Sequence, residues 1–277
     1  MNYDNFTTLA VDVDAGVAHV TLAHGELNLI DLVMLGDLDR AGRLLEQDDD
    51  VRVVILQSAN PDFFIAHADL HAIAMLPSEP APRAEKLGLI NQIYDRFRTM
   101  PKLTIAKVAG IARGGGSELA LACDLRFGVR GKTIIAQPEV GVGLIPGAGG
   151  SVRLPRLVGT ARALEIILGG GDIDADEAER IGYLNRALDA DRFDAHVESL
   201  ARRVAGFPVE ALARAKTAVY FQGSLEDALN HEEVNFLAAA HSPAARQRMD
   251  AGLQLGMQTV AGEKAALDNL WAALAGA

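Results

Sequence analysis

The chain has 277 residues, of which 49% are hydrophobic and 23% charged, and its formal net charge at pH 7 is −11. This composition is typical of a globular protein and excludes a largely disordered chain. The acidic balance disfavours nucleic acid and anionic membranes as main partners. No apolar run approaches the roughly eighteen residues of a membrane span. The length suits one large domain, or one domain with an appendage.

A single cysteine, Cys123, excludes an intrachain disulfide and favours a reducing, cytoplasmic location. It follows the apolar run 119–122, and no histidine or basic residue flanks it. We therefore interpret it as a small buried hydrophobe rather than a nucleophile. The first residues of the chain lack the basic-then-apolar layout of a signal peptide.

The first hundred residues predict strands alternating with helices. Alternating apolar residues on both sides of a turn at 14–16 predict a β-hairpin. A helix is expected over 31–47, with Asp31 as its N-cap and one apolar stripe. The expected stripe consists of Leu32, Leu35, Leu38 and Leu45. The apolar run 51–56 predicts a strand that is buried on both faces.

A long loop should follow and end near Pro82, because the sequence there is rich in Asn, Pro and Asp. A second helix is then predicted over about 84–99, and a strand over 103–108. The stripe of that helix should consist of Leu87, Ile90, Tyr94 and Phe97. Short helices and strands continue to alternate up to residue 182, which is typical of an α/β protein. The predicted helices cover 116–122, 149–158, 160–168 and 174–182, and the predicted strands cover 125–129 and 133–135.

Only helices are predicted from about residue 191 onward. They cover 192–205, 209–220, 225–240, 243–258 and 263–274. Pro208 marks the best boundary, which divides the chain into a core over 1–207 and a helical C-terminal region over 208–277. Alanine-rich helices of this kind either cover their own core or pack on a neighbouring subunit, and composition alone leaves both open.

The most informative segment runs from Gly114 through Gly115, Gly116 and Ser117 to Glu118. Without Cβ atoms, the glycines let a ligand carbonyl approach the backbone closely. A helix that begins here has first N–H groups without an internal partner, and these can bind an oxyanion. A glycine-rich turn with a helix-capping glutamate is an equally open interpretation.

Two further segments complete the pattern. Residues 63–70 follow a strand and a turn, and a backbone amide in them is a candidate second oxyanion donor. Residues 137–150 hold five glycines and two prolines around Glu139, which indicates a loop of fixed course. Each segment also fits a purely structural loop. Together, two carboxylates and free amides are the groups needed to move a proton beside a carbonyl whose oxygen becomes negative.

These three segments, in this order and spacing, resemble the enoyl-CoA hydratase/isomerase (crotonase) superfamily. The resemblance runs from Val11 to about Leu188 and includes residues 171–178 and 181–185. It implies an α/β fold, a spiral of β-β-α turns with a C-terminal all-helical region that builds trimers, often paired into hexamers. It also implies an acyl-CoA thioester substrate and no separate cofactor, because coenzyme A is part of that substrate.

The resemblance implies a role for each matching residue. The amides of Ala68 and Gly115 would form the oxyanion hole, Glu118 would activate water, and Glu139 would protonate Cα. The implied set of residues at the substrate and coenzyme A comprises Ala66, Ala68, Asp69, Leu70, His71, Gly115, Pro138 and Gly147. Because both carboxylates are present, hydration of a 2-enoyl-CoA is favoured over isomerisation and over a non-catalytic coenzyme A-binding protein. Decarboxylation and thioester hydrolysis stay open as alternatives, since they would use the same oxyanion amides and differ in the acyl pocket.

Two features depart from the family pattern. His67 replaces the usual glycine before the first oxyanion residue, and its ring either narrows the pocket or points to solvent. The usual basic C-terminal ending is missing, so the base that meets the phosphates of coenzyme A is open. Lys102, Lys107 and Arg113 are alternatives. The other histidines show no metal-ligand spacing, and no metal is expected.

Overall fold

The computed structural model describes residues 1–75 and 86–274. It opens with the predicted hairpin, formed by β1 (Leu9–Asp14) and β2 (Val17–Leu22), in which Val11 pairs with Val20. Ala15 and Gly16 connect the strands with φ values of 46° and 82°. Two successive residues in the left-handed region are characteristic of the tight turns that match the twist of a hairpin.

Ten strands of the described chain form two sheets. The other eight are β3 (Val53–Ser58), β4 (Phe63–Ile65), β5 (Leu103–Val108), β6 (Ile111–Arg113), β7 (Leu125–Val129), β8 (Ile134–Ala136), β9 (Ile173–Asp174) and β10 (Arg186–Leu188). The larger sheet has the order β1-β2-β3-β5-β7-β10, and the smaller has the order β4-β6-β8-β9. Neighbouring strands are parallel except in the pairs β1–β2 and β8–β9.

Helices connect the strands and then form the last third of the chain. They are α1 (Leu32–Gln47), α2 (Leu70–Ala74), α3 (Leu89–Thr99), α4 (Gly115–Ala122), α5 (Gly150–Val158), α6 (Thr160–Gly169), α7 (Ala175–Arg180), α8 (Ala190–Ala205), α9 (Val209–Tyr220), α10 (Leu225–Ala240), α11 (Pro243–Gln254), α12 (Val260–Lys264) and α13 (Leu267–Leu274), with a 3₁₀ turn at Glu139–Val142.

The chain order explains the architecture. Three times in succession a strand of the larger sheet is followed by a strand of the smaller sheet and then by helical structure: β3-β4-α2, β5-β6-α4 and β7-β8-α5. Parallel pairing stacks these turns on one another. The predicted spiral of β-β-α turns, with an all-helical C-terminal region, is confirmed.

The first four residues of β3 are buried, with side chains on both faces of the larger sheet, as the apolar run at 51–56 predicts. Successive side chains of a strand point to opposite faces. On β3, Val53 and Ile55 pack with α8, whereas Val54 and Leu56 join the main core between the sheets and the helices. The strand itself begins at Val53, two residues later than predicted.

Some predictions of local structure are wrong in detail. Asp31 caps α1 by accepting from the Met34 N–H, but Leu32 is 73% exposed and Met34 takes the buried place. Leu87 precedes α3 and is exposed. Strands β4, β6, β9 and β10 were not predicted, because each has only two or three residues, too few to show a periodic pattern. The expected helix over 263–274 is two helices, because Ala265 is extended. Residues 76–85, where the long loop and the start of the second helix were expected, lie outside the described residues.

The C-terminal region is attached to the core at a few polar points. Asp124, which follows α4, accepts from Lys216 Nζ and from the Tyr220 hydroxyl, both at 2.8 Å. Phe207 meets Trp271 edge to face at 5.6 Å between ring centroids. No residue of α9 is buried, and α10 and α11 each bury one. Over residues 1–75 and 86–274, no helix combines the length and apolar composition that a membrane span requires.

Candidate active site

Glycine determines how α4 begins. Gly114 has φ 50° and ψ −124°, a conformation that residues with a Cβ atom avoid. At Gly116, a Cβ atom would lie 2.5 Å from the carbonyl oxygen of Ile65, so only glycine lets α4 pack directly on β4. The first N–H groups of α4 therefore open beside residues 67 and 68.

The second free amide belongs to Ala68. The Ile30 N–H donates to the carbonyl of His67 at 3.1 Å, and the Asp69 N–H donates to the carbonyl of Ile30 at 2.9 Å. This parallel bridge uses the groups on both sides of Ala68 and leaves its own N–H unused. In residues 1–75 and 86–274, neither Ala68 nor Gly115 has an acceptor for its backbone N–H. The structure therefore brings two free donors together.

Glu118 is almost completely buried, with 3% of its surface exposed. Its Oε1 accepts from the N–H of Ala148 at 2.8 Å and from that of Gly150 at 2.7 Å. Because Gly150 is the first residue of α5, the carboxylate lies at the positive end of that helix. Burial raises the pKa of Glu118, and the two backbone hydrogen bonds oppose this rise.

Glu139 begins the 3₁₀ turn and faces the start of α4. Its Oε1 lies 3.1 Å from the place that a Cβ atom would take on Gly114. Burial raises the pKa of Glu139 from its ordinary value of 4.5 to about 7, and the negative charge of Glu118 also raises it. A carboxyl group with this pKa can hold and release a proton near neutral pH. The two carboxylates therefore face one space, which also receives the two free N–H groups.

The remaining predicted contacts surround this space. Ala66 is buried, and its N–H donates to the carbonyl of Leu27 at 3.0 Å. Asp69 caps α2 by accepting from the His71 N–H at 2.8 Å, and Leu70 and His71 are exposed. That these residues contact substrate or coenzyme A stays a prediction.

The last two predicted contact residues, Pro138 and Gly147, lie on either side of the 3₁₀ turn in the sequence. Pro138 directly precedes the turn. The carbonyl of Gly147 accepts from Asn91 Nδ2 at 3.0 Å, which ties α3 to the loop between the 3₁₀ turn and α5. Contact of Pro138 and Gly147 with substrate also stays a prediction. Of the alternative bases for the phosphates, Lys102 bonds the carbonyl of Asp48, and Lys107 and Arg113 pair with Asp194 and Asp172.

His67 does not simply extend into solvent. It is half-buried, and its Nδ1 lies 2.8 Å from the carbonyl oxygen of Ala68. A carbonyl only accepts, so Nδ1 carries the hydrogen, and no residue of 1–75 or 86–274 bonds Nε2. The Cβ of His67 lies 3.8 Å from the place that a Cβ would take on Gly114, and Glu139 approaches that same place. The imidazole therefore borders the Glu139 side of the site.

Sequence reasoning missed three buried residues behind Glu139. Ser117 Oγ lies 3.0 Å from the Gln137 side-chain amide and 2.7 Å from the Tyr183 hydroxyl, and the other end of the amide meets Glu139. Gln137 and Ser117 lie within two residues of Glu139 and Glu118 in the sequence, so they could have been predicted as buried polar partners of the site. Tyr183 lies in the segment 181–185 that resembles the family, but it is 66 residues from Ser117, and no local pattern links the two.

Across the described residues, no group of three or more His, Cys, Asp or Glu side chains is arranged to hold a metal ion. Cys123 is buried, and burial raises the pKa of its thiol to about 12. Such a thiol stays protonated near neutral pH, which agrees with its interpretation as a small hydrophobe.

Comparisons with known proteins identify relatives of this chain in sequence and in fold. A family model described as enoyl-CoA hydratase/isomerase matches residues 12–254. A protein of Mycobacterium leprae named probable enoyl-CoA hydratase is 34% identical, and the match covers 84% of this chain and 88% of that protein. The short-chain-enoyl-CoA hydratase of Clostridium acetobutylicum is 32% identical, over 82% of this chain and 87% of that protein. The crystal structure of an enoyl-CoA hydratase from Bacillus anthracis superposes with a TM-score of 0.82 at 28% identity, covering 90% of this chain and 96% of that chain.

Proposed function

The chain belongs to the enoyl-CoA hydratase/isomerase family, and we propose that it is an enoyl-CoA hydratase, which adds water across the 2,3 double bond of a 2-enoyl-CoA thioester. One observation carries the proposal. The buried Glu118 and the half-buried Glu139 face the same space as the free N–H groups of Ala68 and Gly115. Hydration needs a base for water, an acid for Cα and donors for the thioester oxygen.

The reaction balances with these groups. Glu118 takes a proton from water as the water oxygen bonds to Cβ. The π electrons move toward the thioester carbonyl, and its oxygen carries negative charge between the N–H groups of Ala68 and Gly115. Glu139 then gives its proton to Cα. Afterwards Glu118 is protonated and Glu139 is ionised, and transfer of one proton between them restores the starting state.

The environments of the two glutamates support this division of roles. Burial raises the pKa of Glu118, but two N–H groups and a helix N-terminus oppose this rise and stabilise the ionised form, which is the form a base needs. Glu139 has a pKa of about 7 because of burial, so a sizeable fraction is protonated near neutral pH. That fraction supplies the proton for Cα.

Exposed apolar residues support an apolar acyl chain beside this site. Around the 3₁₀ turn, Val142 and Ile145 are 61% and 73% exposed, and Leu70 and Leu89, the first residues of α2 and α3, are 50% and 58% exposed. The hydrogen bond from Asn91 to the Gly147 carbonyl links α3 to the loop that holds Ile145. We extend the proposal to a cytoplasmic homo-oligomer, a trimer or a dimer of trimers.

A spectrophotometric assay with crotonyl-CoA tests the function. We expect loss of the conjugated absorbance as water adds. Glu118→Gln and Glu139→Gln should each reduce turnover by about 10²-fold or more, the usual scale for a lost acid or base, with little change in thioester affinity. If the absorbance with the parent protein does not change, the protein binds coenzyme A without hydrating the substrate. If absorbance is gained with a 3-enoyl-CoA and crotonyl-CoA does not react, the protein is an isomerase.

A further inference from the structure

A line of buried polar groups leads from Glu139 into the core. The end of the Gln137 amide that faces Glu139 lies 2.9 Å from its Oε1, and the other end lies 3.0 Å from Ser117 Oγ. Ser117 Oγ lies 2.7 Å from the Tyr183 hydroxyl, which also lies 3.1 Å from the Ser117 carbonyl oxygen. Gln137 and Ser117 are fully buried, and Tyr183 is 1% exposed. Each of these groups must therefore find its hydrogen-bond partners within the line.

When Glu139 is ionised, only one arrangement satisfies the line. A carboxylate accepts and never donates, so Gln137 must present its NH₂ to Glu139 and its oxygen to Ser117. Ser117 then donates to Gln137 and accepts from the Tyr183 hydroxyl. Every donor points toward Glu139, and the Ser117 carbonyl is not needed.

When Glu139 is protonated, the opposite arrangement is available. The Glu139 O–H donates to the Gln137 oxygen, and the Gln137 NH₂ donates to Ser117 Oγ, at 3.0 Å. Ser117 donates to Tyr183, and the Tyr183 hydroxyl donates to the Ser117 carbonyl at 3.1 Å. The line therefore ends in an acceptor that only this second arrangement uses.

From this geometry we infer that Tyr183 and Ser117 are positioning residues, which let the Gln137 amide reverse its orientation as Glu139 gains and loses its proton. The inference rests on the proposed function, in which Glu139 gives a proton to Cα and regains it in each turnover. Because the side chains of Gln137, Ser117 and Tyr183 are hydrogen-bonded in both arrangements, neither state of Glu139 leaves one of them without a partner.

Among the residues that the structure describes, four other titratable groups lie near this line. Glu118 faces it across the site, His67 borders the Glu139 side, and Arg126 and Cys123 lie beside Tyr183. All four stay unchanged in the variants below, so a change in the ionisation of Glu139 reports on the line itself.

The inference predicts shifts of opposite sign. Tyr183→Phe removes the acceptor that Ser117 needs when Glu139 is protonated, so it should lower the pKa of Glu139. Ser117→Ala leaves the far end of the Gln137 amide without a partner, an N–H when Glu139 is protonated and an oxygen when Glu139 is ionised. An unpaired buried N–H costs more than an unpaired oxygen, so this variant should also lower the pKa of Glu139. Gln137→Met removes the donor to the carboxylate and should raise it. Each shift should be roughly half to one pH unit, the scale of one altered hydrogen bond.

The pH dependence of kcat/KM for hydration measures these shifts. Activity should fall as Glu139 loses its proton, so this alkaline limb should move to lower pH in Tyr183→Phe and Ser117→Ala and to higher pH in Gln137→Met. Tyr3→Phe is the matched control, since it also removes a tyrosine hydroxyl hydrogen-bonded to a carboxylate, Asp48, but outside the site. Its limb should coincide with the parental one.

Isotope-edited infrared spectroscopy of the glutamate carboxyl groups gives a readout without substrate, with Glu139→Gln identifying the band. If folded Tyr183→Phe and Ser117→Ala keep the parental titration of Glu139, or raise its pKa, the inference is wrong. A parent protein that does not hydrate crotonyl-CoA would overturn the proposed function instead, while the infrared titration still tests the line.

Discussion

The backbone nitrogen of Ala68 lies 3.8 Å from the place that a Cβ atom would take on Gly115. Two segments that are far apart in sequence thus present their free N–H groups to one point. The parallel bridge to Ile30 fixes Ala68, and the Tyr94 hydroxyl fixes the loop of Gly115 by donating to its carbonyl at 3.0 Å. Donors that are fixed before the reaction need no rearrangement when charge develops on a thioester oxygen.

Gly115→Pro should remove one oxyanion donor without removing a carboxylate. Gly115 is the first residue of α4, a position that accepts proline because its N–H has no partner in the helix. Loss of one such donor costs about 3 kcal/mol of transition-state stabilisation, so kcat for hydration should fall about 10²-fold. Steady-state kinetics with crotonyl-CoA measure this.

Gly115→Ala is the matched control, because it keeps the backbone N–H and adds a Cβ atom, as proline does. That carbon would lie 2.8 Å from Cδ1 of Ile30, the end of a flexible side chain that can move aside. We expect Gly115→Ala to retain far more activity than Gly115→Pro. Equal losses in the two folded variants would assign the effect to crowding rather than to the donor.

The ionisation of Glu139 should also affect stability. Its pKa in the folded protein, about 7 through burial, lies above its ordinary value of 4.5. As pH rises between these values, the unfolded chain loses this proton before the folded one does, so the protein loses stability across this window. The Glu139→Gln variant has no carboxyl group at this position and therefore does not show this pH-dependent loss of stability. Its Tm relative to the parent should rise from about pH 4.5 to 7 and then stay constant.

Differential scanning calorimetry over a pH series measures this difference. Glu232→Gln, at an exposed position of α10, is the control and should follow the parental curve. Partial exposure of Glu139 reduces the size of the effect but not its sign. A Tm difference that does not change with pH would show that Glu139 ionises in the folded protein as it does in the unfolded chain.

The sequence predicts those parts of this fold that depend on local patterns. The hairpin, the cap at Asp31 and the strand at Leu103–Val108 all follow from periodicity and turn chemistry. The small sheet does not, because a strand of three residues such as β4 is stabilised by its neighbours rather than by its own pattern. The prediction that Leu32 is buried on α1 was wrong, because an apolar stripe predicts which face of a helix meets the core and not how far along the helix the core extends.

The candidate site divides in the same way. Glycine spacing and the two glutamates are local signals, and they predict the residues that the structure groups around one space. The backbone donors that bind Glu118 come from Ala148 and Gly150, about thirty residues later, and Tyr183 comes from still further along the chain. These partners are set by the order of strands in the two sheets, which no local pattern contains.

His67 should limit the bulk that the site accepts. Its ring is held by the Ala68 carbonyl and borders Glu139, which acts at Cα in the proposed reaction. His67→Gly should therefore raise kcat/KM for a 2-methyl-branched enoyl-CoA relative to crotonyl-CoA by roughly tenfold, the scale of one methyl group in a pocket. In the control His67→Asn, the side-chain NH₂ can replace Nδ1 as the donor to Ala68 and should give a smaller change. An unchanged ratio in His67→Gly would mean that the ring lies clear of the substrate.

The helices after Pro208 should form the contact between subunits. Val219, Leu225 and Phe236 are 81%, 77% and 66% exposed, and large uncovered apolar surfaces drive association. Light scattering at micromolar concentration should give the mass of three or six chains. Phe236→Asp should reduce that mass, whereas Leu168→Asp, at a 63% exposed leucine of α6, should not.

Removal of residues 208–277 should give insoluble protein for two reasons. It removes Trp271, whose ring packs on Phe207, and it removes Lys216 and Tyr220, which bond Asp124. The Asp124 side chain is only 9% exposed, so its charge would then lack its nearest cation in a poorly hydrated place. A soluble, active 1–207 fragment, or a monomeric full-length protein, would show that the C-terminal helices are not required to complete the site.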